Sequence, residues 1–167
     1  SNSEWKITKT YEVQNGNLIK SRMEITNISG ISKLNNFTIT ALDIDSSRLD
    51  ISNKRETMLD EYGVLYNKDK MLRKGSAFKF NNKESKSLAG AVEWVAFRDH
   101  FNAIIVKPEF ETKSFDIKYV TDNKLTIDIT PNSSQIAPGQ SIVYNFSIFA
   151  GPQEPGLMKS YNKGFEK

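Results

Sequence analysis

The 167-residue chain suits one domain and is long enough to bury a continuous core without covalent staples. Its 38% apolar and 26% charged residues exclude a disordered polymer, and a formal charge of +3, from 23 basic and 20 acidic residues interleaved along the chain, gives no basic face for nucleic acid. The absence of cysteine excludes disulfides, thiolate catalysis and cysteine-held zinc.

From the N-terminus, Ser1-Asn2-Ser3 reads as a tag remnant ahead of an excised fragment. Most of the remaining chain alternates apolar and polar residues, the pattern of half-buried strands. KITKTYEV sets Ile7 among polar neighbours, and NLIKSRMEITNIS puts Ile19, Met23 and Ile25 on one side. Asn15-Gly16 between these two runs is a hairpin signal. Ser29-Gly30 marks a loop, and NNFTITALDI then alternates through Phe37, Ile39 and Ala41. The stretch 45–75 mixes scattered apolar residues with many charges and admits irregular strands or a short helical turn. NNKESKS, at 81–87, reads as a solvated loop.

In AVEWVAFRD, Trp94 shares a face with Val92 and Ala96, which favours a core position. NAIIVKP is apolar on both faces and stopped by Pro108, so it reads as a central strand. Its apolar run at 103–106 is far short of the about 20 residues a membrane span needs. A turn at Thr121-Asp122-Asn123 separates FDIKYV from KLTIDIT, whose Leu125, Ile127 and Ile129 share a face. Pro138-Gly139 fits the corners of a type II turn, proline fixing one φ and glycine accepting the positive one. SIVYNFSIF then places Ile142, Tyr144, Phe146 and Ile148 together. After AGPQEPG the period changes: Leu157, Tyr161 and Phe165 form one helical stripe, with Pro155 suited to the helix start. Strands with one apolar face must bury it against another layer, and an antiparallel sandwich does so with few helices.

Catalytic chemistry finds little support. His100, the single histidine, neighbours Asp99, but adjacent residues on a strand point to opposite faces and no nucleophile motif accompanies them. Asp43 and Asp45 lack the further oxygens and glycine of a calcium loop, no histidine cluster offers a metal site, and no glycine-rich loop cradles a phosphate. No catalytic residue, metal or cofactor is assigned. The four Asn-x-Ser/Thr matches, at Asn27, Asn36, Asn132 and Asn145, are expected by chance in an asparagine-rich chain.

Three stretches, in order, resemble one family. GAVEWVAFRDHFNAIIVKP, at 90–108, is similar to the W-V-A…K/H-Y/F-F…A…I-P segment of YidC-type bacterial membrane protein insertases. IAPGQSIVYNFSIFAGPQEPGLMKSYNKGFEK, at 136–167, resembles the end of their large periplasmic domain, with its L-x-P-G…F-x-x-Y-x-G-P-K…L…Y pattern. TKTYEVQNGNLIKSRMEITNIS, at 8–29, is similar to an earlier strand pair. The matching residues are Trp94, Val95, Ala96, Phe101 and Ala103, then Pro138, Gly139, Phe146, Gly151, Pro152, Leu157 and Tyr161. Departures are the run Phe97-Arg98-Asp99-His100, Phe149 in the usual tyrosine place and Gln153 in the usual lysine place.

The resemblance implies an all-β, antiparallel β-supersandwich of the galactose-mutarotase type over 1–152. A short C-terminal helical segment over 153–167 would lead toward a transmembrane span outside this sequence. It further implies a non-catalytic scaffold facing the periplasm at the bacterial inner membrane. Anchoring would come from flanking segments, and contact with the Sec translocon would run through SecD and SecF. Leu157, Met158, Tyr161 and Phe165 are the expected partner contacts; Trp94, Phe101, Pro138, Gly139, Gly151 and Pro152 are the structural motif. Two rivals stay open: a carbohydrate-binding or sugar-modifying sandwich, favoured by exposed Trp and paired carboxylates in an open cleft, and a secreted adhesion module.

Overall fold

The computed structural model describes residues 4–14, 16–45, 61–68, 70–75, 85–98, 101–121, 124–154, 156 and 159. Among them the chain forms β1 (Trp5–Val13), β2 (Leu18–Asn27), β3 (Lys33–Leu34), β4 (Ile39–Asp45), β5 (Glu61–Tyr66), β6 (Lys70–Gly75) and β7 (Lys86–Ala89). After these come β8 (Val92–Arg98), β9 (Asn102–Pro108), β10 (Thr112–Thr121), β11 (Lys124–Pro131), β12 (Gln135–Ile136) and β13 (Ser141–Pro152). A seven-stranded sheet runs β1-β2-β13-β9-β8-β5-β6, and a four-stranded sheet runs β4-β11-β10-β7. A two-stranded ribbon, β12-β3, completes the order. Pairing is antiparallel throughout. The all-β sandwich expected from alternation is therefore the architecture found.

The core lies between the two large sheets. Met23, Ile25, Tyr144, Phe146, Val106, Val95 and Val64 come from one; Leu42, Ile44, Phe115, Ile117, Leu125, Ile127 and Ile129 come from the other. Leu125, Ile127 and Ile129 are fully enclosed, as their spacing predicts. Each contributes roughly 1.5–3 kcal/mol from burial alone. A second buried cluster, Leu18, Leu65, Trp94, Ala103, Ile105 and Phe149, is out of phase with the first. Phe149 pairs with Leu18 and Ile105, one residue from the Ile148–Val106 pair that faces the core. This second cluster therefore occupies the opposite face of the seven-stranded sheet. The two-sided burial explains why NAIIVKP is apolar on both faces: β9 sits between β13 and β8, well inside the sheet.

Two bulges shift what simple alternation predicts. Leu65 pairs with Trp94 while Tyr66 pairs with Val92, so β8 carries one extra residue, Glu93. Trp94 is buried with Ala96 as expected, but Val92 turns to the inter-sheet core. Likewise Ile127 pairs with Leu42 and Asp128 with Thr40, leaving Ala41 as the extra residue of β4. Core contact then passes from Phe37 and Ile39 to Leu42 and Ile44. Such an insertion switches which side chains face inward beyond it. Lys86 and Ser87, read as loop, instead belong to β7, paired with Ile117 and Asp116 of β10. Within 45–75 the described part is the β5–β6 hairpin. Asn15, Asp122 and Asn123 lie outside the described residues, although the strands they connect pair as hairpins.

Candidate functional site

The start of β13 is fixed first. Gln140 N–H donates to the Ala137 carbonyl at 3.0 Å, and Gly139 has φ 74°, the type II turn expected of Pro138-Gly139. Gly139 N–H donates to the Asn27 carbonyl at 2.8 Å, and Asn27 N–H donates to the Gln140 carbonyl at 3.0 Å. The fully buried Asn27 side chain donates from Nδ2 to the Ile31 and Ile136 carbonyls, each at 2.8 Å, and its Oδ1 accepts from Ser29. Asn27 is thus a structural cross-brace, its side chain enclosed rather than available as a glycan acceptor. Asn35 repeats the device. Its Nδ2 donates to Tyr144 Oη at 2.6 Å and to Ser134 Oγ at 3.1 Å, pinning the β3–β12 ribbon to β13. Burial pushes the Tyr144 hydroxyl pKa up, because the phenolate would lose hydration. Phe110 packs edge-on against both Tyr144 and Phe146, with centroids 4.8 and 5.1 Å away.

The far end of β13 is clamped as well. Pro152 pairs with Asn102 and Gly151 with Ala103. Ala150 N–H donates to the Asn17 carbonyl, and Gln153 N–H to the Phe101 carbonyl, both at 2.9 Å. The Gln153 side chain donates from Nε2 to the Asn102 carbonyl and accepts from Arg98 Nη1, both at 3.3 Å. A Cβ on Gly151 would lie 2.5 Å from Asn17 Cγ, so any larger residue there would force the Asn17 side chain of the β1–β2 hairpin to move. Arg98 and Gln153 both depart from the family pattern in the sequence, and here they bond each other. A lysine at 153 would instead face the Arg98 guanidinium.

Of the expected motif, Trp94 is buried on β8, Phe101 is 66% exposed in the β8–β9 turn, Pro138 and Gly139 open β13, and Gly151 and Pro152 close it. Phe101, Gly151 and Pro152 come together at one end of the sandwich; Pro138 and Gly139 lie at the other. Among the described residues, Trp94 Nε1 finds no hydrogen-bond partner. Of the expected C-terminal segment 153–167, Gln153, Glu154, Gly156 and Lys159 are described; the first two are not helical, and Gly156 and Lys159 have helical backbone. Leu157, Met158, Tyr161 and Phe165 lie outside the described residues, as do Asp99 and His100. Asn17, Asn102 and the brace Asn35 had no signal in the sequence beyond asparagine content, and the brace Asn27 stood out only as an Asn-x-Ser match.

Two of the shallow grooves formed by the described residues border β13. One, of about 320 Å³, is lined by Thr10, Glu12, Lys20, Arg22, Glu109 and Asn145 among others, two acids facing two bases. Ser147 Oγ, itself buried, donates to Glu109 Oε1 at 2.5 Å. The other, of about 170 Å³, opens between the sheets beside Tyr11, Met23, Ile39, Ala41, Phe146 and Ile148. No group of three or more His, Cys, Asp or Glu side chains able to hold a metal occurs among the described residues. Asp43 forms an ion pair with Lys124 at 3.1 Å. Asp128 accepts from Thr40 Oγ1 and Lys118 Nζ, both at 2.7 Å, and the second of these bonds holds the Lys118 pKa above its ordinary value.

Comparison with known proteins decides the family. The model of the YidC periplasmic domain matches residues 1–167. The chain belongs to the YidC periplasmic domain family. Its relatives include the membrane protein insertases YidC of Cupriavidus pinatubonensis, 26% identical over 163 residues, and of Cupriavidus taiwanensis, 24% identical over 163 residues. Each alignment covers 96% of this chain and 29% of the relative, so the chain spans under a third of the length of these insertases. As a YidC periplasmic domain it faces the periplasm at the bacterial inner membrane. Among the described residues no helix is long and apolar enough to cross a membrane. The fold is shared with the Slr1438 protein of Synechocystis sp. PCC 6803, with TM-score 0.50 and 12% identity over 89% of this chain and 55% of that one. A candidate aldose 1-epimerase of Escherichia coli K12 gives TM-score 0.47 and 9% identity over 89% of this chain and 60% of that one.

Proposed function

We propose that this YidC periplasmic domain is a non-catalytic scaffold, which orients the chain leaving its last strand and offers a contact surface to partners of a membrane protein insertase. The supporting observation is the clamp at the end of β13. Gln153 is held through backbone and side chain by Phe101, Asn102 and Arg98, three residues of a different hairpin. A strand flanked by two neighbours and tied at both ends imposes a fixed direction on the segment it leads into. In this reading residues 1–152 form the sandwich, and 153–167 form a helical segment leading to a membrane span. That segment presents Leu157, Met158, Tyr161 and Phe165 to SecD and SecF.

The sugar rival calls for exposed tryptophan in an open cleft. Trp94 is buried, and Trp5 packs edge-on against Phe37 at 4.9 Å. Photo-crosslinkers placed at Leu157, Met158, Tyr161 and Phe165, in membranes of the bacterium that encodes the chain, test the reading. Adducts with Sec accessory subunits are expected from at least one position. Absence of protein adducts from all of them would refute the contact. Faster interconversion of glucose or galactose anomers with the purified chain present, followed by NMR, would favour the sugar rival instead.

A further inference from the structure

Among the described residues β1 is an edge strand, with β2 as its one neighbour in the sheet. β1 opens the strand order of the seven-stranded sheet, and every residue of it from Lys6 to Val13 is exposed. Its residues Ile7, Lys9, Tyr11 and Val13 lie opposite Ile25, Met23, Ser21 and Ile19, so they point to the core side of the sheet. The four-stranded sheet does not cover them: Ile7 is 55%, Tyr11 61% and Val13 73% exposed. An edge of this length, with backbone donors and acceptors along its outer side and an apolar row, is a template for another strand.

We propose that the occupant is β1 of a second copy, running antiparallel about a two-fold axis beside Lys9, so that two seven-stranded sheets join into one. The sequence Trp-Lys-Ile-Thr-Lys-Thr-Tyr-Glu-Val complements its own reverse in this register. On the core side, Ile7 faces Tyr11 of the other copy and Trp5 faces Val13, each twice. On the outer side, Lys6 faces Glu12 twice and Thr8 faces Thr10 twice. Opposite charges, β-branched pairs and aromatic–aliphatic pairs across strands are all favourable. The register is also the one that uses all nine residues of the strand. Its cost is the Lys9–Lys9 pair at the axis, since like charges directly opposite repel. That lysine keeps the contact weak and reversible, as edge lysines do.

Sedimentation equilibrium of the 167-residue chain tests the proposal. A concentration-dependent dimer is expected. Lys6→Glu and Glu12→Lys each weaken it by about tenfold, because two attractive pairs become repulsive. An equimolar mixture of the two variants restores it, since each then supplies the charge the other lacks. Lys9→Thr tightens it. Lys9→Cys gives a disulfide-linked dimer on mild oxidation, and Lys20→Cys, on the neighbouring strand, does not. All these positions are exposed, so circular dichroism should show unchanged folding. A monomer at every concentration without a Lys9→Cys crosslink overturns the proposal, as does a dimer indifferent to both charge variants. Capture of foreign extended polypeptides by Lys9→Cys without self-crosslinking also overturns it, in favour of a client strand.

Discussion

Tyr144 ties chemistry to stability through a single hydroxyl. Its pKa is raised above 10.0 by burial, so the folded protein keeps this proton at pH values where the unfolded chain has lost it. Above about pH 10 the native state then binds more protons, and stability falls as pH rises through the folded-state value. Lys118, raised above 10.5 chiefly by its hydrogen bond to Asp128, acts with the same sign. Tyr144→Phe should cost about 1 kcal/mol at neutral pH, because Asn35 Nδ2 loses an acceptor and keeps Ser134. It should also flatten the loss of stability above about pH 10, measured by urea unfolding across a pH series. The residual slope should shrink further in Asp128→Asn. Gly151 gives a second test. Gly151→Ala places a methyl on the Asn17 side chain and should destabilise by about 1–2 kcal/mol. Asn17→Ala should relieve part of that cost, so a double-mutant cycle should show coupling between the two. At Trp94 the orphan indole N–H adds a penalty to an otherwise favourable burial. Trp94→Phe should therefore cost well under the about 3–5 kcal/mol expected for Trp94→Ala, compared by thermal unfolding.

Strands differ in how openly their sequence shows them. β11 and β13 alternate cleanly because one face meets the core and the other is more polar over most of their length. β9 is legible for the opposite reason, having apolar neighbours on both faces. The bulges at Glu93 and Ala41 were not legible, because a bulge is a mismatch in count between two strands distant in sequence. β7 hides as well, since its four residues carry one partly buried apolar side chain, Leu88. The β3–β12 ribbon is two residues per strand and depends on the Asn35 side chain rather than on pattern. The turn before β13 was readable because proline and glycine each carry a dihedral requirement. Gly139→Val should cost on the order of 1–2 kcal/mol through its positive φ alone, as nothing lies within 4 Å of an added Cβ. Pro138→Ala should cost less, and differential scanning calorimetry would rank the two.

The sandwich and the family could both be read from sequence, because repeated alternation and three ordered motifs span the chain. The clamp could not: Arg98 and Gln153 are 55 residues apart and stood out only as departures from the family pattern. That clamp carries the functional account, in which the domain holds a direction rather than performs a reaction. On the function proposed above, the decisive comparison is membrane insertion of a test protein by the full-length protein carrying this domain, with two variants set beside the wild type. One breaks the exit, as Gly151→Val with Gln153→Pro; the other neutralises the groove acids, as Glu12→Gln with Glu109→Gln. Reduced insertion from the first variant and unchanged insertion from the second is the predicted result. Full insertion with the exit broken, or loss of insertion on neutralising the groove, would contradict the scaffold account.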